Sequence, residues 1–428
     1  MRATVAGRLL NIGFIHPDLG LGGAERLVVD AALYLQERGH RVVLFTAHHD
    51  RERCFEETRD GTLEVRVCGD FLPVHVGQRV RAPSAIARMI YLACAMGLRG
   101  GRFDVIFCDL VSHAIPLLRV FSRAPIVFYC HFPDRLLASG GGRLYRLYRR
   151  PIDWLEETGL RMADRVLVNS KFTAAQFHRT FTRLGSVTPE VLYPGVDSVR
   201  YATPCGASPQ TWEQSEGRQG PDPVRGSAAR TGGSCDRAII LSISRYERAK
   251  NVSLAIEAMA LLRHRLSPAE FASVCLVVAG GYDDRLQENR DTRAQLKALV
   301  VERRLEEQVR FMYSLTDADR LSLLSRCFCV VYTPENEHFG FVPLEAMAAA
   351  RPVVAVNSGG PRETVRHEET GLLCAPNAAA FADALARLIA DRASAWQMGQ
   401  AGREHVAARF SRRAFGARLE AILGEVTT

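Results

Sequence analysis

The 428-residue sequence has no apolar run of the ~18–20 residues that a bilayer-spanning helix requires. Its best candidate, Ile86 to Leu98, is too short and is interrupted by Arg88, with Arg79, Arg81, Arg99 and Arg102 around it. A buried core helix is the expectation there, and a helix lying on an acidic membrane surface is the second reading. The amino end, Met1-Arg-Ala-Thr-Val-Ala-Gly-Arg8, lacks the layout of a secretory signal and runs straight into a strand-like segment. Eleven cysteines occur without a C-x-x-C pair or a histidine at zinc spacing, which excludes a disulfide framework or structural zinc as the organising element. Cys108, Cys130, Cys275, Cys327 and Cys329 fall in apolar runs, the pattern of buried thiols in a reducing compartment. What remains is an ordinary globular composition, 47% hydrophobic and 24% charged, on a chain long enough for two domains. The net charge of +8 favours an anionic partner: nucleotide, pyrophosphate, acidic lipid or nucleic acid.

Taken in order, the chain alternates strand-like and helix-like segments. Leu9 to Ile15 reads as a strand and is followed by His16-Pro-Asp-Leu-Gly-Leu-Gly-Gly-Ala-Glu25. A helix with Leu27, Val28, Ala31, Ala32 and Leu35 on one face then ends at Gly39 and leads into a strand from Arg41 to Thr46. That is a β–glycine loop–α–β unit, which demands a right-handed crossover into a parallel sheet. Gly20, Gly22 and Gly23 would bring backbone N–H groups close to a ligand at the helix start. A dinucleotide fingerprint fits poorly, because Glu25 stands where a third small residue belongs and Asp50 comes several residues late. Further strands are expected at 104–108, 126–130 and 165–169, giving a doubly wound α/β domain. His131-Phe-Pro-Asp134 leaves the 126–130 strand at its carboxyl end, where ligands bind in such sheets. Arg143, Arg146, Arg149 and Arg150 follow at helical spacing, backed by Leu144, Leu147 and Tyr148. They are read as a basic stripe, either solvated or able to meet lipid headgroups or a lipid pyrophosphate.

From Thr203 to Asp236 apolar periodicity vanishes and Pro, Gly, Ser, Gln and Arg dominate. The organisation expected is therefore an N-terminal domain over 1–201, a disordered insertion or linker over 202–236 and a second doubly wound domain over 237–428. The last helix is a candidate to pack back on the first domain. In the second domain, Arg245 and Lys250 follow the strand that begins at Ala238, placed to neutralise a diphosphate, Arg as a fork and Lys as a point charge. Asn357-Ser-Gly-Gly-Pro-Arg-Glu363 is a further glycine loop between a strand and a helix.

The densest signal is Glu335 to Glu345. An apolar strand, Cys327 to Tyr332, leads through Glu337-His-Phe-Gly340 into a helix whose first turn holds Pro343. Backbone N–H groups at Gly340, Phe341 and Val342 would point out of that helix start and suit a phosphate. Glu337 and Glu345 could both face one ligand carrying hydroxyls. A sugar-bearing phosphate meets both conditions.

Glu337-His-Phe-Gly to Glu345 resembles the E-x7-E element of retaining GT-B glycosyltransferases. Four more phrases sharpen the resemblance: His16 to Val28, Tyr129-Cys-His-Phe-Pro-Asp134, Tyr148-Arg-Arg-Pro-Ile-Asp-Trp154 and Ser244-Arg-Tyr-Glu-Arg-Ala-Lys-Asn251. With Tyr332-Thr-Pro-Glu-Asn-Glu-His-Phe-Gly340 they resemble the eukaryotic mannosyltransferases of dolichol-linked oligosaccharide synthesis that add the second and third mannoses. The resemblance covers nearly the whole chain outside the insertion. It implies two Rossmann-like domains facing a central cleft, GDP-mannose as donor and a dolichyl-pyrophosphate-linked oligosaccharide as acceptor. It also implies the cytosolic face of the endoplasmic reticulum membrane, other mannosyltransferases of the pathway as candidate partners, no nucleic acid, no cofactor and no metal requirement. Site roles follow from it too. Arg245 and Lys250 would hold the diphosphate and Glu345 the ribose. Glu337 with the Phe339-Gly340-Phe341 backbone would hold mannose and phosphates. Gly22 and Gly23 would approach the diphosphate from the other domain, and His131 would lie beside the sugar on the acceptor side. Three readings stay beside this one: a GT-B enzyme with another lipid or soluble acceptor, a GT-B-like nucleotide-sugar epimerase, and a non-catalytic nucleotide-sugar binder. The joint presence of Arg245, Lys250, Glu337 and Glu345 argues against the last.

Overall fold

In the computed structural model, which describes residues 8–72, 81–137, 142–202 and 237–428, the chain forms two compact units. The first is Met1–Gly195 with Phe410–Thr428, and the second is Val196–Arg409. The stretch beyond Ala202, where the insertion is expected, lies outside the described residues as far as 236.

Seven strands build the sheet of the first unit: β1 (Asn11–His16), β2 (Arg41–Thr46), β3 (Glu64–Val67), β4 (Val105–Asp109), β5 (Ile126–Cys130), β6 (Arg165–Val168) and β7 (Glu190–Val191). All neighbours pair in parallel in the order β3-β2-β1-β4-β5-β6-β7. Every residue of β4 and β5 is buried, as expected of strands covered by helices on both faces. One core layer joins Phe14, Leu27, Val28, Ala31, Phe107 and Tyr129 to Phe415, Leu419, Ile422 and Leu423 of the last helix, Arg412–Thr427. The other layer sets Met89, Leu92, Ala93 and Met96 against Ile106, Phe128 and Leu118. The helix Arg81–Arg99 is therefore a core helix along one face, and the interrupting Arg88 is itself buried.

The second unit repeats the plan with β8 (Ala238–Ile243), β9 (Val274–Gly280), β10 (Val309–Tyr313), β11 (Cys329–Tyr332), β12 (Val353–Val356) and β13 (Gly371–Cys374). These pair in parallel in the order β10-β9-β8-β11-β12-β13. In both sheets the strand order thus reverses beside the first strand, between β1 and β4 and between β8 and β11. The crevice outside the carboxyl ends at such a reversal is where doubly wound sheets bind ligands.

One boundary, at 196–201, differs from the sequence reading. The last helix, a candidate to pack back on the first domain, belongs to the first unit, because its apolar face completes the core around Gly23–Glu37. A Cβ at Gly416 would come within 2.1 Å of the Tyr34 ring, so the two helices approach closely there. Residues 196–201 belong to the second unit, because the short helix Ser198–Ala202 packs against the helix Phe341–Ala348.

Candidate functional site

In the second unit, β8 and β11 deliver the residues singled out by the sequence to one sheet edge. Lys250 ends a 3₁₀ turn, Arg248–Lys250, after β8. Its carbonyl accepts a hydrogen bond from the Thr333 hydroxyl, just past β11, at 2.8 Å. Its Nζ donates to Glu337 Oε2 at 2.6 Å, with 19% and 20% of the two side chains exposed. Burial pushes the Glu337 carboxyl up, but the Lys250 ammonium and the Tyr332 hydroxyl beside it hold it below the usual value. An ionised carboxylate clamped to a half-buried ammonium results.

The loop that carries Glu337 is itself held by Asn357 to Pro361. Gly360 N–H donates to the Glu337 carbonyl at 2.8 Å, and Asn336 N–H donates to the Ser358 hydroxyl at 3.1 Å. Gly359 has φ +58°, and a Cβ there would lie 2.4 Å from the Glu337 carbonyl oxygen. A Cβ on Gly360 would lie 2.1 Å from the Phe339 carbonyl oxygen. The second glycine loop thus serves as the seat of the first. Gly340, at φ +86°, is the N-cap of the helix Phe341–Ala348, so the helix starts at Phe341 and Pro343 lies in its first turn.

Glu345 is buried in that helix and does not contact Lys250's partner. It accepts from Arg320 Nε at 3.0 Å, is bonded by Arg320 Nη2 as well, and is hydrogen-bonded by the Tyr201 hydroxyl. The two carboxylates of the E-x7-E element therefore each have their own cation. Arg320 was missed by sequence reasoning; its helix, Asp317–Arg326, is marked only by the Thr316/Asp319 capping box. Arg245 stands apart, its side chain 68% exposed and its Nη1 donating to Glu247 at 2.9 Å.

A second cluster lies at the carboxyl edge of the first unit's sheet. Asp109 closes β4 and is fully buried. Its Oδ1 lies 2.9 Å from His131 Nε2 and its Oδ2 lies 2.8 Å from His16 Nδ1, the residue that closes β1. Burial alone would push the Asp109 carboxyl up, yet the two imidazoles carry it down to about 2. The same carboxylate raises His16 above its ordinary value against the effect of burial. His131 is further fixed by Asn169 Nδ2, which donates to its carbonyl at 3.0 Å, and by the Tyr129 ring, edge-on at 4.9 Å. Gly22 caps the helix Gly23–Glu37, downstream of His16 on the same loop.

The arginine stripe needs correction at one position. Arg149 is buried, not solvent-facing: its Nη atoms donate to Asp134 Oδ2 at 2.9 Å and its Nε to Asp153 at 3.0 Å. On the same face of the helix Arg143–Met162, Glu156 Oε1 accepts the Asp134 N–H at 3.0 Å. Two motif phrases, one ending in Asp134 and one carrying Arg149 and Asp153, thus meet as a clamp beneath the segment that bears His131. Arg150 is exposed, as are Leu147, Tyr148 and Trp154; the side chains of Arg143 and Arg146 lie outside the described residues. No helix among the described residues is long and apolar enough to cross a membrane.

Comparison with known proteins extends this geometry. The family description "Glycosyl transferases group 1" matches residues 229–405, and "Glycosyltransferase Family 4" matches residues 21–200. The chain is 45% identical to the Homo sapiens alpha-1,3/1,6-mannosyltransferase ALG2, over 94% of this chain and 92% of that one. It is 41% identical to the Rhizomucor pusillus protein of the same name, over 99% and 93%. Among solved structures, sucrose-phosphate synthase from Thermosynechococcus elongatus superposes with a TM-score of 0.73 at 22% identity, covering 98% of this chain and 99% of that one. At that identity the likeness speaks for the fold, two Rossmann-like halves of GT-B type.

Proposed function

The chain belongs to the ALG2 alpha-1,3/1,6-mannosyltransferase family, and from that premise we propose the full reaction. Mannose passes from GDP-mannose to a dolichyl-pyrophosphate chitobiose bearing one mannose, first in an α1,3 and then in an α1,6 linkage, with retention at the anomeric carbon. Family membership fits this reading better than a related GT-B enzyme with another lipid or soluble acceptor, or a GT-B-like epimerase. The single observation that carries the donor half is the Lys250–Glu337 pair at the β8/β11 reversal, beside the start of the helix Phe341–Ala348.

The roles follow from the chemistry. Lys250 and Arg245 take the charge that builds on the departing diphosphate, and the backbone N–H groups of Gly340 and Phe341 add oriented dipoles. Glu337 accepts from mannose hydroxyls and orients Lys250. Glu345, held by Arg320 and Tyr201, accepts from the ribose hydroxyls. Gly22 and Gly23 place backbone N–H groups for the diphosphate, and His131 serves the sugar from the acceptor side. The C1–O bond to phosphate breaks as the acceptor oxygen bonds to C1 on the same face, and the acceptor proton moves to the leaving phosphate oxygen. No protein nucleophile and no resident metal is assigned a step. The acceptor's polyprenyl tail requires the enzyme to work at a membrane surface, proposed from family membership to be the cytosolic face of the endoplasmic reticulum, and Leu147, Tyr148, Arg150 and Trp154 are the proposed contact.

The test is incubation with GDP-mannose and the monomannosylated lipid acceptor, with and without a chelator, with product mass and anomeric coupling constants as readouts. Mass gains of one and then two hexoses with α linkages, unaffected by chelator, are expected. No hexose gain, or transfer from UDP-glucose instead, overturns the donor assignment, and inverted product overturns the mechanism.

A further inference from the structure

The sequence marked His131 but gave no reason for its orientation, quoted His16 only as the head of a glycine-loop phrase without a role of its own, and did not mark Asp109. We infer that Asp109 is a positioning residue for the transfer: it fixes His131 as the Nε2–H tautomer and so leaves Nδ1 as the ring atom that serves the substrate. This deepens the function proposed above and rests on it for the identity of the sugar.

Three strand ends converge here. β1 ends at His16, β4 at Asp109 and β5 just before His131, and these three strands are neighbours in the sheet. Asp109 is wholly buried and makes one contact through each carboxylate oxygen, 2.9 Å to His131 and 2.8 Å to His16. An ionised carboxylate is an acceptor only, so both imidazoles must donate to it. His131 therefore carries its proton on Nε2, and His16 carries one on Nδ1. In the neutral ring the second nitrogen of His131, Nδ1, is then an acceptor suited to a hydroxyl of a bound sugar. His131 keeps 20% of its side chain exposed, whereas His16 keeps 1%. His131 is thus the member of the trio within reach of a ligand.

His16 supplies the second donor. With one imidazole alone, half of a fully buried carboxylate would be without a partner, a costly arrangement that favours protonation. Two donors keep Asp109 ionised, which the depressed carboxyl value accompanies. His16 Nε2 is buried and has no hydrogen-bond partner among the described residues, so no other contact competes to set that ring's tautomer. The loop after His16 carries Gly22 and Gly23 to the helix start, so Asp109 also ties that loop's root to the root of the His131 segment.

Asp109→Asn is the discriminating variant. An amide of the same shape accepts at one atom and donates at the other, so one imidazole must reverse its proton. A wrong tautomer at a carboxylate-oriented catalytic histidine can cost about 10⁴ in kcat where the ring moves a proton. Here the ring only binds, so a fall in kcat of about 10²-fold with donor KM within threefold is the expectation. Histidine labelled with ¹⁵N reads the tautomer directly in the wild-type protein, with His131→Gln and His16→Gln assigning the signals. The expected spectrum has His131 protonated on Nε2 and His16 on Nδ1, with His131 altered in Asp109→Asn. Wild-type His131 protonated on Nδ1 alone would overturn the inference even if Asp109→Asn fails to fold. So would a folded Asp109→Asn enzyme with kcat within threefold of wild type. Failure of the wild-type enzyme to use GDP-mannose would instead count against the donor assignment, and the tautomer measurement would still decide the role of Asp109.

Discussion

Replacing Lys250 by Met removes the ammonium 2.6 Å from Glu337 while keeping much of its apolar stem. Two separate losses follow. Deleting one group that stabilises transition-state charge lowers turnover by about 10²–10³, or about 3–4 kcal/mol. The fold also loses a pair whose side chains are 19% and 20% exposed. Breaking a fully buried pair by removing one partner costs about 3–5 kcal/mol. Residual solvent and the remaining Tyr332 hydroxyl reduce this to about 1–2 kcal/mol. The pH dependence gives an independent reading. In the wild type, the Glu337 carboxyl lies below its unfolded value, so its contribution is fully present above the ordinary carboxylate range and is lost as pH falls through the folded value. Without Lys250 the effect of burial is opposed only by the Tyr332 hydroxyl and His338, the folded value rises, and the contribution shrinks. The gap in Tm between wild type and Lys250→Met should therefore be widest near pH 7.5 and shrink towards pH 4.5. Adding Glu337→Gln should recover stability but not turnover. Kinetics with GDP-mannose and thermal melts at three pH values measure both. A folded Lys250→Met enzyme with turnover within threefold of wild type, or a double variant that regains activity, would refute the reasoning.

Gly360→Ala puts a methyl group 2.1 Å from the Phe339 carbonyl oxygen, so the backbone of the Glu337 loop must shift; kcat should fall at least tenfold, since small misplacements of reacting groups are costly, while the far-ultraviolet spectrum stays native. Arg149→Gln should lower stability by about 2–4 kcal/mol, because it leaves Asp134 and Asp153 without their shared cation, but leave binding to acidic vesicles nearly unchanged. Leu147→Ser with Trp154→Ser should do the reverse, weakening vesicle binding with little effect on melting, which flotation and calorimetry distinguish. Glu156 is buried, and its carboxyl is pushed up to about 8, chiefly by desolvation and then by Asp134. The unfolded chain therefore loses this proton near the usual carboxylate value while the folded chain keeps it, so stability declines with pH between them. Glu156→Gln should raise Tm at pH 8 by more than at pH 5, and an equal change at both would contradict the assignment.

Much of the fold was legible because a doubly wound sheet writes itself into the sequence as apolar runs separated by amphipathic helices. Arg41–Thr46 and Ile126–Cys130 match the expected strands to the residue. The missed strands are the ones that lack that signature. β3 alternates charge with valine as an edge strand, β7 has two residues, and β13 begins with a glycine. The last helix was read as amphipathic and as a candidate to pack back on the first domain, but amphipathicity alone does not say which core receives the apolar face. Arg149 shows the same limit from the charged side. Helical spacing put four arginines together, and only the fold reveals that this one faces Asp134 and Asp153 instead of water.

The candidate site divides in the same way. Residues that belong to one continuous phrase, such as Glu337, Gly340 and Glu345, were visible because a strand end, a turn and a helix start follow each other in the chain. Their partners come from elsewhere: Lys250 lies 87 positions from Glu337, and Arg320 lies 25 from Glu345. A signal for Asp109 and His16 was nevertheless present. Each is a titratable residue that closes an otherwise apolar buried strand, and burying such a group without a partner costs several times what one hydrogen bond contributes. A charged residue at the carboxyl end of a parallel strand therefore implies a second polar residue at the end of a neighbouring one. In a doubly wound sheet the neighbours of the first strand follow from the topology. β1 ends in His16, β4 beside it ends in Asp109, and β5 beside that gives way to His131, so the three ends meet in one place once the strand order is known. The network is thus a consequence of strand order acting on three polar strand endings, and pairing such endings across neighbouring strands is the step that recovers it from sequence.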